Sequence, residues 1–280
     1  MRFARHPTPY DDEPAIEPVM SPARAHLQRH IAAARADAEL ADGTRIDPAL
    51  ANGYELMLAQ LAEHRRQLKQ IQSVERKIEH KRKLIPEYTP YIAGALEANR
   101  GGQDDVLVTL LVWHIDCGQL AAAVPLARYC LEHGLVMPDH YERSLACIVA
   151  EEAAELALRQ LAAGEDAEVL ALLAIKDMTA ERDMPDEVRA KLNKALGYAV
   201  REGRPADALI YLQRALQLNP KVGVKKDIER LEREIKNAYP HAPQGDEGAH
   251  AVMGEGGDLQ DAPDRGDTPS TARDDTPAAG

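Results

Sequence analysis

Aromatic side chains are scarce in this chain. One Trp, one Phe and nine Tyr make up 4% of its 280 residues. Together with abundant Ala and Leu, that scarcity argues against a β-sandwich or barrel, whose strands draw on aromatic and β-branched residues. Cysteine is nearly absent too. Cys117, Cys130 and Cys147 are odd in number and spaced by 13 and 17 positions, so they form no disulfide framework and fit a cytoplasmic protein. No stretch approaches the run of about 18 apolar residues that a membrane span needs. The longest candidate, Val106–Ile115, is short and contains Thr109 and His114. Arg2 and Arg5 are followed by no apolar run, which excludes a secretory signal. A Walker A sequence is also lacking, which excludes a P-loop ATPase.

Positive charge is in deficit, with 34 Lys and Arg against 46 Asp and Glu, a formal net of −12. The deficit is uneven. Residues 241–280 carry nine acids and two bases, residues 1–20 carry four acids and two bases, and residues 21–240 are left with a net of only −3. The acidic tail is rich in Pro and Gly and almost devoid of large apolar side chains. It cannot bury enough surface to offset its ordering entropy, so residues 240–280 are expected to be disordered, and residues 1–20 likewise.

What remains is helical, and the predicted fold class is all-α. Ser21-Pro22 and Asp47-Pro48 each read as an N-cap followed by a first-turn proline. From Tyr54 the apolar positions run Tyr54, Met57, Leu61, a gap at His64, then Leu68, Ile71, Val74 and Ile78, a coiled-coil-like seam with one short step at 71 to 74. A single helix over 48–85, ended by Pro86 and Pro90, would be about 57 Å long. That length predicts pairing with a second copy, hence a homo-oligomer, or projection from the body. Asp104 or Asp105 caps the next helix, which is apolar nearly all round and therefore central. A partner helix runs to Glu132, with Pro125 predicting a kink or a late start. Pro138-Asp139, with Glu142 in capping-box spacing, opens a helix to Gly164. Short helices are expected over 166–176, from Pro185 to Gly203, and from Pro205 to Asn219. A final one carries Val224, Ile228, Leu231 and Ile235 on one stripe, flanked by Glu229–Arg233 and Glu232–Lys236 pairs. Gly118, Ala123 and Cys130 recur in spacing as Gly203, Ala208 and Ala215, a tetratricopeptide-like pattern of helical hairpins. The predicted organisation is a leader 1–20, a helical and coiled-coil region 21–90, a helical-hairpin domain 91–239 and the tail 240–280.

The densest chemical signal is basic. Arg65, Arg66, Lys69, Arg76, Lys77, Lys81, Arg82 and Lys83 are interrupted only by Glu75 and Glu79 within 65–83, a net of +6 in an acidic chain. Such a helix is an electrostatic footprint for a phosphate backbone, and the alternative is a solvated coiled-coil face. No groove-reading motif or aromatic stacking set accompanies it. Carboxylate pairs occur at Asp104-Asp105 and at Asp183 with Asp186-Glu187. Metal-dependent DNA cleavage needs several carboxylates converging on Mg²⁺, and Asp104, Asp105, Asp183 and Asp186 are the candidates. Each lies just before a helix, where capping and dipole roles compete. His114, Cys117, Cys130, His133 and His140 match no zinc spacing, so no metal site is assigned.

Several strings in order resemble one family: Met20-Ser-Pro-Ala-Arg-Ala-His-Leu-Gln-Arg, Gly102-Gln-Asp-Asp-Val-Leu, Ala127-Arg-Tyr, Asp183-Met-Pro-Asp-Glu-Val-Arg-Ala-Lys-Leu, Leu212-Gln-Arg-Ala and Val222-Gly-Val-Lys-Lys-Asp-Ile-Glu-Arg-Leu-Glu-Arg-Glu. They are similar to the small terminase subunit of temperate tailed myophages and their prophages, the GpM type, usually described as the terminase endonuclease subunit. The resemblance implies binding of double-stranded viral DNA at a packaging site, association with the large ATPase subunit, and a part in cohesive-end cleavage, all in the cytoplasm of a bacterial host. Mg²⁺ enters only if the nuclease site lies in this chain, and no other cofactor is implied. The family's usual start falls at Met20, and its basic tail is replaced here by an acidic one, which shifts the weight of DNA contact onto 65–83. The alternative is a tetratricopeptide-like adaptor that touches no nucleic acid.

Overall fold

A computed structural model describes residues 20–37, 48–138 and 143–238. The leader and tail, Asp47, and the Asp139–Glu142 capping box with His140 lie outside the described residues. Eleven α-helices and one 3₁₀ turn make up the described residues, with no strand among them: α1 (Pro22–Asp37), α2 (Pro48–Gln70), α3 (Val74–Leu84), the turn Ile85–Tyr88, α4 (Thr89–Ala98), α5 (Asp105–Asp116), α6 (Leu120–Glu132), α7 (Leu145–Ala162), α8 (Val169–Met178), α9 (Asp186–Val200), α10 (Pro205–Leu218) and α11 (Lys225–Ala238). None of these helices is long and apolar enough to cross a membrane.

The single helix expected over 48–85 is two. The break falls at the short step of the seam. The Ser73 backbone is extended, and its hydroxyl accepts the Arg76 N–H at 3.3 Å, capping α3. A serine that can satisfy an orphan donor at a helix start competes with helix continuation, and here it wins. Pro86 and Pro90 do not end the helical path either. They sit in the first turns of the 3₁₀ segment and of α4, where a missing N–H costs nothing. The seam itself is not left for a second copy. Met57, Leu61 and Leu68 are buried in the chain's own core, Tyr54, Ile71 and Ile78 pack against it, and only Val74 is largely exposed. His64 fills the gap, buried, with Nδ1 2.8 Å from the Tyr88 hydroxyl.

α5 is the hub. Val106, Leu107, Val108, Leu110, Leu111, Trp113 and Ile115 are buried, and α2, α6 and α7 all pack on it. Trp113 meets Tyr88 edge-on, with ring centroids 6.4 Å apart, a geometry favoured by the ring quadrupoles. α6 starts at Leu120, before Pro125, and runs through it. α7 starts at Leu145, capped by the Ser144 hydroxyl, seven residues after the predicted Pro138 start.

Two close crossings join the rest. α1 lies on α4 at Gly94, where a Cβ would come within 2.5 Å of the Arg29 Cα and carbonyl oxygen. Beyond this crossing the end of α1 is held by the 102–103 loop, through Gly102 N–H to the Ala36 carbonyl at 3.1 Å and Arg35 Nε to the Gln103 carbonyl at 2.8 Å. Gly197 of α9 faces Leu212 and Ala208 of α10, the small-residue contact expected of that hairpin. α11 completes a smaller apolar cluster in which Val224, Ile228 and Leu231 are buried with Val200, Ala208 and Leu212. Each such side chain contributes about 1.5–3 kcal/mol on burial, enough to dock a helix whose remaining faces are charged.

Candidate nucleic-acid interface

The eight predicted bases lie on α2 and α3, and the fold divides them. Lys81 forms an ion pair with Asp116, its side chain only 16% exposed. Arg82 donates from Nε and Nη2 to the Cys117 carbonyl at 3.3 and 2.9 Å, so it satisfies a carbonyl at the C-terminus of α5, where a cation also complements the helix dipole. These two bases anchor α3 to the hub. Arg66 is held by Glu63 through two bonds of 2.8 Å. Arg65 is half-buried.

Lys69, Arg76, Lys77 and Lys83 differ. No ion pair joins any of them to another described residue, and Lys69, Arg76 and Lys83 are exposed while Lys77 is half-buried. At 3.6 residues per turn, Arg76 and Lys83 lie on the pole of α3 opposite Ile78. Glu63 and Asp116, brought in by the fold, join Glu75 and Glu79, so eight bases face four carboxylates. The net of +6 read from 65–83 alone becomes +4. The surface stays basic, but its available donors are half the predicted set.

The carboxylate candidates do not gather. Asp104 is the N-cap of α5 and only 2% exposed. Its Oδ1 accepts the Val106 and Leu107 N–H groups at 2.9 and 3.1 Å, and its Oδ2 accepts the Tyr91 hydroxyl at 2.6 Å. Burial pushes its pKa up to about 6, against the pull of those three donors. Asp105 accepts from Gln103 at 2.9 Å. Asp183 and Asp186 are exposed at the start of α9, on another element. Among the described residues no three His, Cys, Asp or Glu side chains stand close enough to hold a metal ion, and the lone pairs of Asp104 are already taken. These four residues therefore do not fit a Mg²⁺ site as they stand.

The thiols are interior groups. Cys117, Cys130 and Cys147 are free and buried, and burial raises Cys130 to about 12. His114 Nδ1 lies 2.8 Å from Gln119 Oε1, its pKa lowered by desolvation, and His133 Nε2 lies 2.9 Å from Asn99 Oδ1. Both read as satisfied side chains. The partners Asp116 and Glu63 escape a charge count along the chain, because pairing across 35 positions, as between Lys81 and Asp116, leaves no local signal.

Comparison with known proteins places these elements. The profile of the phage small terminase subunit matches residues 58–187, from mid-α2 to the start of α9. The terminase endonuclease subunit of Escherichia phage P2 is 46% identical over 217 residues, 77% of this chain and 86% of that protein. The probable terminase endonuclease subunit of Haemophilus phage HP1 is 27% identical over 169 residues, 55% of this chain and 60% of that protein. No solved structure matches. The P2 match spans nearly all of α1–α11 at close to half identity, and on it the chain belongs to the phage small terminase subunit family.

Proposed function

We propose that this protein binds double-stranded viral DNA at the packaging site through the exposed bases of α2 and α3. With the large terminase ATPase subunit, it then directs cohesive-end cleavage and the packaging of DNA into capsids. The observation that carries the reading is the set Lys69, Arg76, Lys77 and Lys83, four bases that the fold leaves without a carboxylate partner among the described residues. Contact is with phosphates, since no side-chain set for reading base edges accompanies them. Cleavage is assigned to the complex rather than to Asp104, Asp105, Asp183 or Asp186, because those carboxylates are capping or dispersed. With the seam of α2 packed on the chain's own core, any homo-oligomer is assembled through another surface.

The test is a salt titration of DNA binding by the full chain. Each phosphate contact adds about 0.9 to the slope of log K against log salt. Changing all four bases to Gln is expected to weaken binding and flatten the slope by up to about 3.6. An unchanged slope and affinity would overturn the assignment. Incubating the purified chain with Mg²⁺ and packaging-site DNA, without the large subunit, decides the place of cleavage. Cutting by the chain alone would refute cleavage as a property of the complex.

A further inference from the structure

α11 has two opposed stripes. Val224, Ile228, Leu231 and Ile235 pack on the smaller apolar cluster. Lys226, Arg230 and Arg233, at i, i+4 and i+7, are all exposed, and at 3.6 residues per turn they lie on the opposite side of the helix. Lys225 and Lys221, the latter from the turn before the helix, flank that stripe. Together the five bases line a shallow groove of about 660 Å³ with Pro220 and Gly223.

The single acid in the lining, Asp227, is already engaged. Its Oδ2 accepts the Tyr198 hydroxyl at 2.8 Å and its Oδ1 accepts Arg230 at 2.8 Å. Two further carboxylates of α11 turn toward its neighbours. Glu234 is bonded to Arg201 of α9 at 3.0 and 3.1 Å, and Glu232 to Gln213 of α10 at 3.3 Å. Lys221, Lys225 and Lys226 form no ion pair with any described residue. The groove therefore holds five bases and one neutralised acid, on a chain whose overall charge is −12.

We infer that this groove is a second phosphate-backbone contact for duplex DNA, built on a different part of the fold from α2–α3. α11 packs on α10, whereas α3 packs on α2 and the 3₁₀ turn. The spacing suits the ligand. Seven residues of helix rise about 10.5 Å, and a duplex strand presents one phosphate per about 3.4 Å of axis, so the stripe from Lys226 to Arg233 subtends about three successive phosphates. A second contact on a separate element also fixes orientation on the duplex, which one basic helix does poorly. The inference rests on the DNA-binding reading, and its test keeps the two apart.

Three full-length proteins are compared by fluorescence anisotropy on a short duplex at graded salt: the unaltered chain, a groove variant with Lys221→Gln, Lys225→Gln and Lys226→Gln, and the α2–α3 variant with Lys69→Gln, Arg76→Gln, Lys77→Gln and Lys83→Gln. The groove variant is expected to lose up to about 2.7 from the salt slope, at about 0.9 per contact. Lys221→Arg, Lys225→Arg and Lys226→Arg together restore binding. These side chains are exposed, so circular dichroism and the melting temperature stay those of the unaltered chain. If the groove variant keeps the full slope and affinity while the α2–α3 variant weakens, the groove inference is overturned and the α2–α3 reading stands. Weakening of the groove variant alone establishes the groove and removes the α2–α3 assignment. If neither variant weakens, both fall. An acidic protein segment as the groove's occupant corresponds to the first of these results and would overturn the inference.

Discussion

Replacing Asp104 by Asn separates a capping carboxylate from a reacting one. In the folded chain Asp104 is almost wholly buried, and burial lifts its pKa from 3.8 to about 6. The folded state thus holds this proton more tightly than the unfolded chain does. The resulting stabilisation is fully present below about pH 3.8 and is lost as pH rises through about 6, and the gap between the two values corresponds to about 3 kcal/mol. Asn cannot ionise, yet it caps a helix as well as Asp does. Its oxygen can accept the Val106 and Leu107 N–H groups while its amide donates to the Tyr91 hydroxyl oxygen. The unfolding free energy of the Asp104→Asn variant, measured relative to the unaltered protein, is therefore expected to rise by about 3 kcal/mol between about pH 4 and about pH 7. Urea unfolding followed by circular dichroism at several pH values reads this directly. Titrations of all other groups cancel in the difference, and so does any constant cost of the substitution. A difference that stays flat across that range would refute the assignment of the elevated pKa to burial of Asp104. The same variant bears on chemistry. As a cap, Asp104→Asn leaves cohesive-end cleavage by the assembled terminase intact, whereas loss of cleavage with DNA affinity retained would make Asp104 part of the reaction.

Two further predictions concern packing and charge. Gly94→Ala places a Cβ 2.5 Å from the Arg29 backbone, which can give way only if α1 moves, so a loss of about 2–3 kcal/mol in chemical unfolding is expected. Gly197→Ala meets the side chain of Leu212 at 2.7 Å, a softer obstacle. Set against a helix-propensity gain of about 1 kcal/mol, its loss is expected to be the smaller, and equal losses would contradict the distinction. Lys81→Gln strands Asp116 and is expected to cost about 1–3 kcal/mol without altering the salt slope of DNA binding. Lys83→Gln is expected to do the reverse, with stability changed by less than about 0.5 kcal/mol and the slope reduced by about 0.9.

Much of the fold is legible along the chain because most of its determinants are local. The all-round apolar run of α5, Ser21-Pro22, the Asp104 cap, Gly203 with Pro205, and the stripe of α11 each act within a turn or two of themselves. The failures share another cause. Periodicity of three and four steps across 71–74 is compatible with one helix or with two. The choice turns on whether the Ser73 hydroxyl caps a new start, a competition worth about 1 kcal/mol, which tertiary packing of Ile71 and Ile78 is large enough to decide. Likewise the seam of α2 carries a pattern that a partner copy or the chain's own α5 can satisfy. Periodicity says that a face is buried and not against what.

The basic surface shows the same division at the level of single side chains. Along the chain the eight bases are equivalent. In the fold, what happens to each depends on its angle from the buried stripe of its helix. On α3, Lys81 and Arg82 lie within a quarter turn or so of Ile78 and so reach the C-terminus of α5, while Arg76 and Lys83 lie opposite and reach nothing. The same geometry governs α11, where Lys226 and Arg233 lie opposite Ile228 and Leu231. Bases flanking a buried stripe find carboxylates and carbonyls of neighbouring helices, because those helices are what the stripe packs on. Bases on the far pole have only solvent or a ligand within reach. A charge count weighted by helical angle therefore finds the available bases on both α3 and α11, whereas an unweighted count over-reads 65–83 and, because α11 also carries Asp227, Glu229, Glu232 and Glu234, passes over the second basic face altogether.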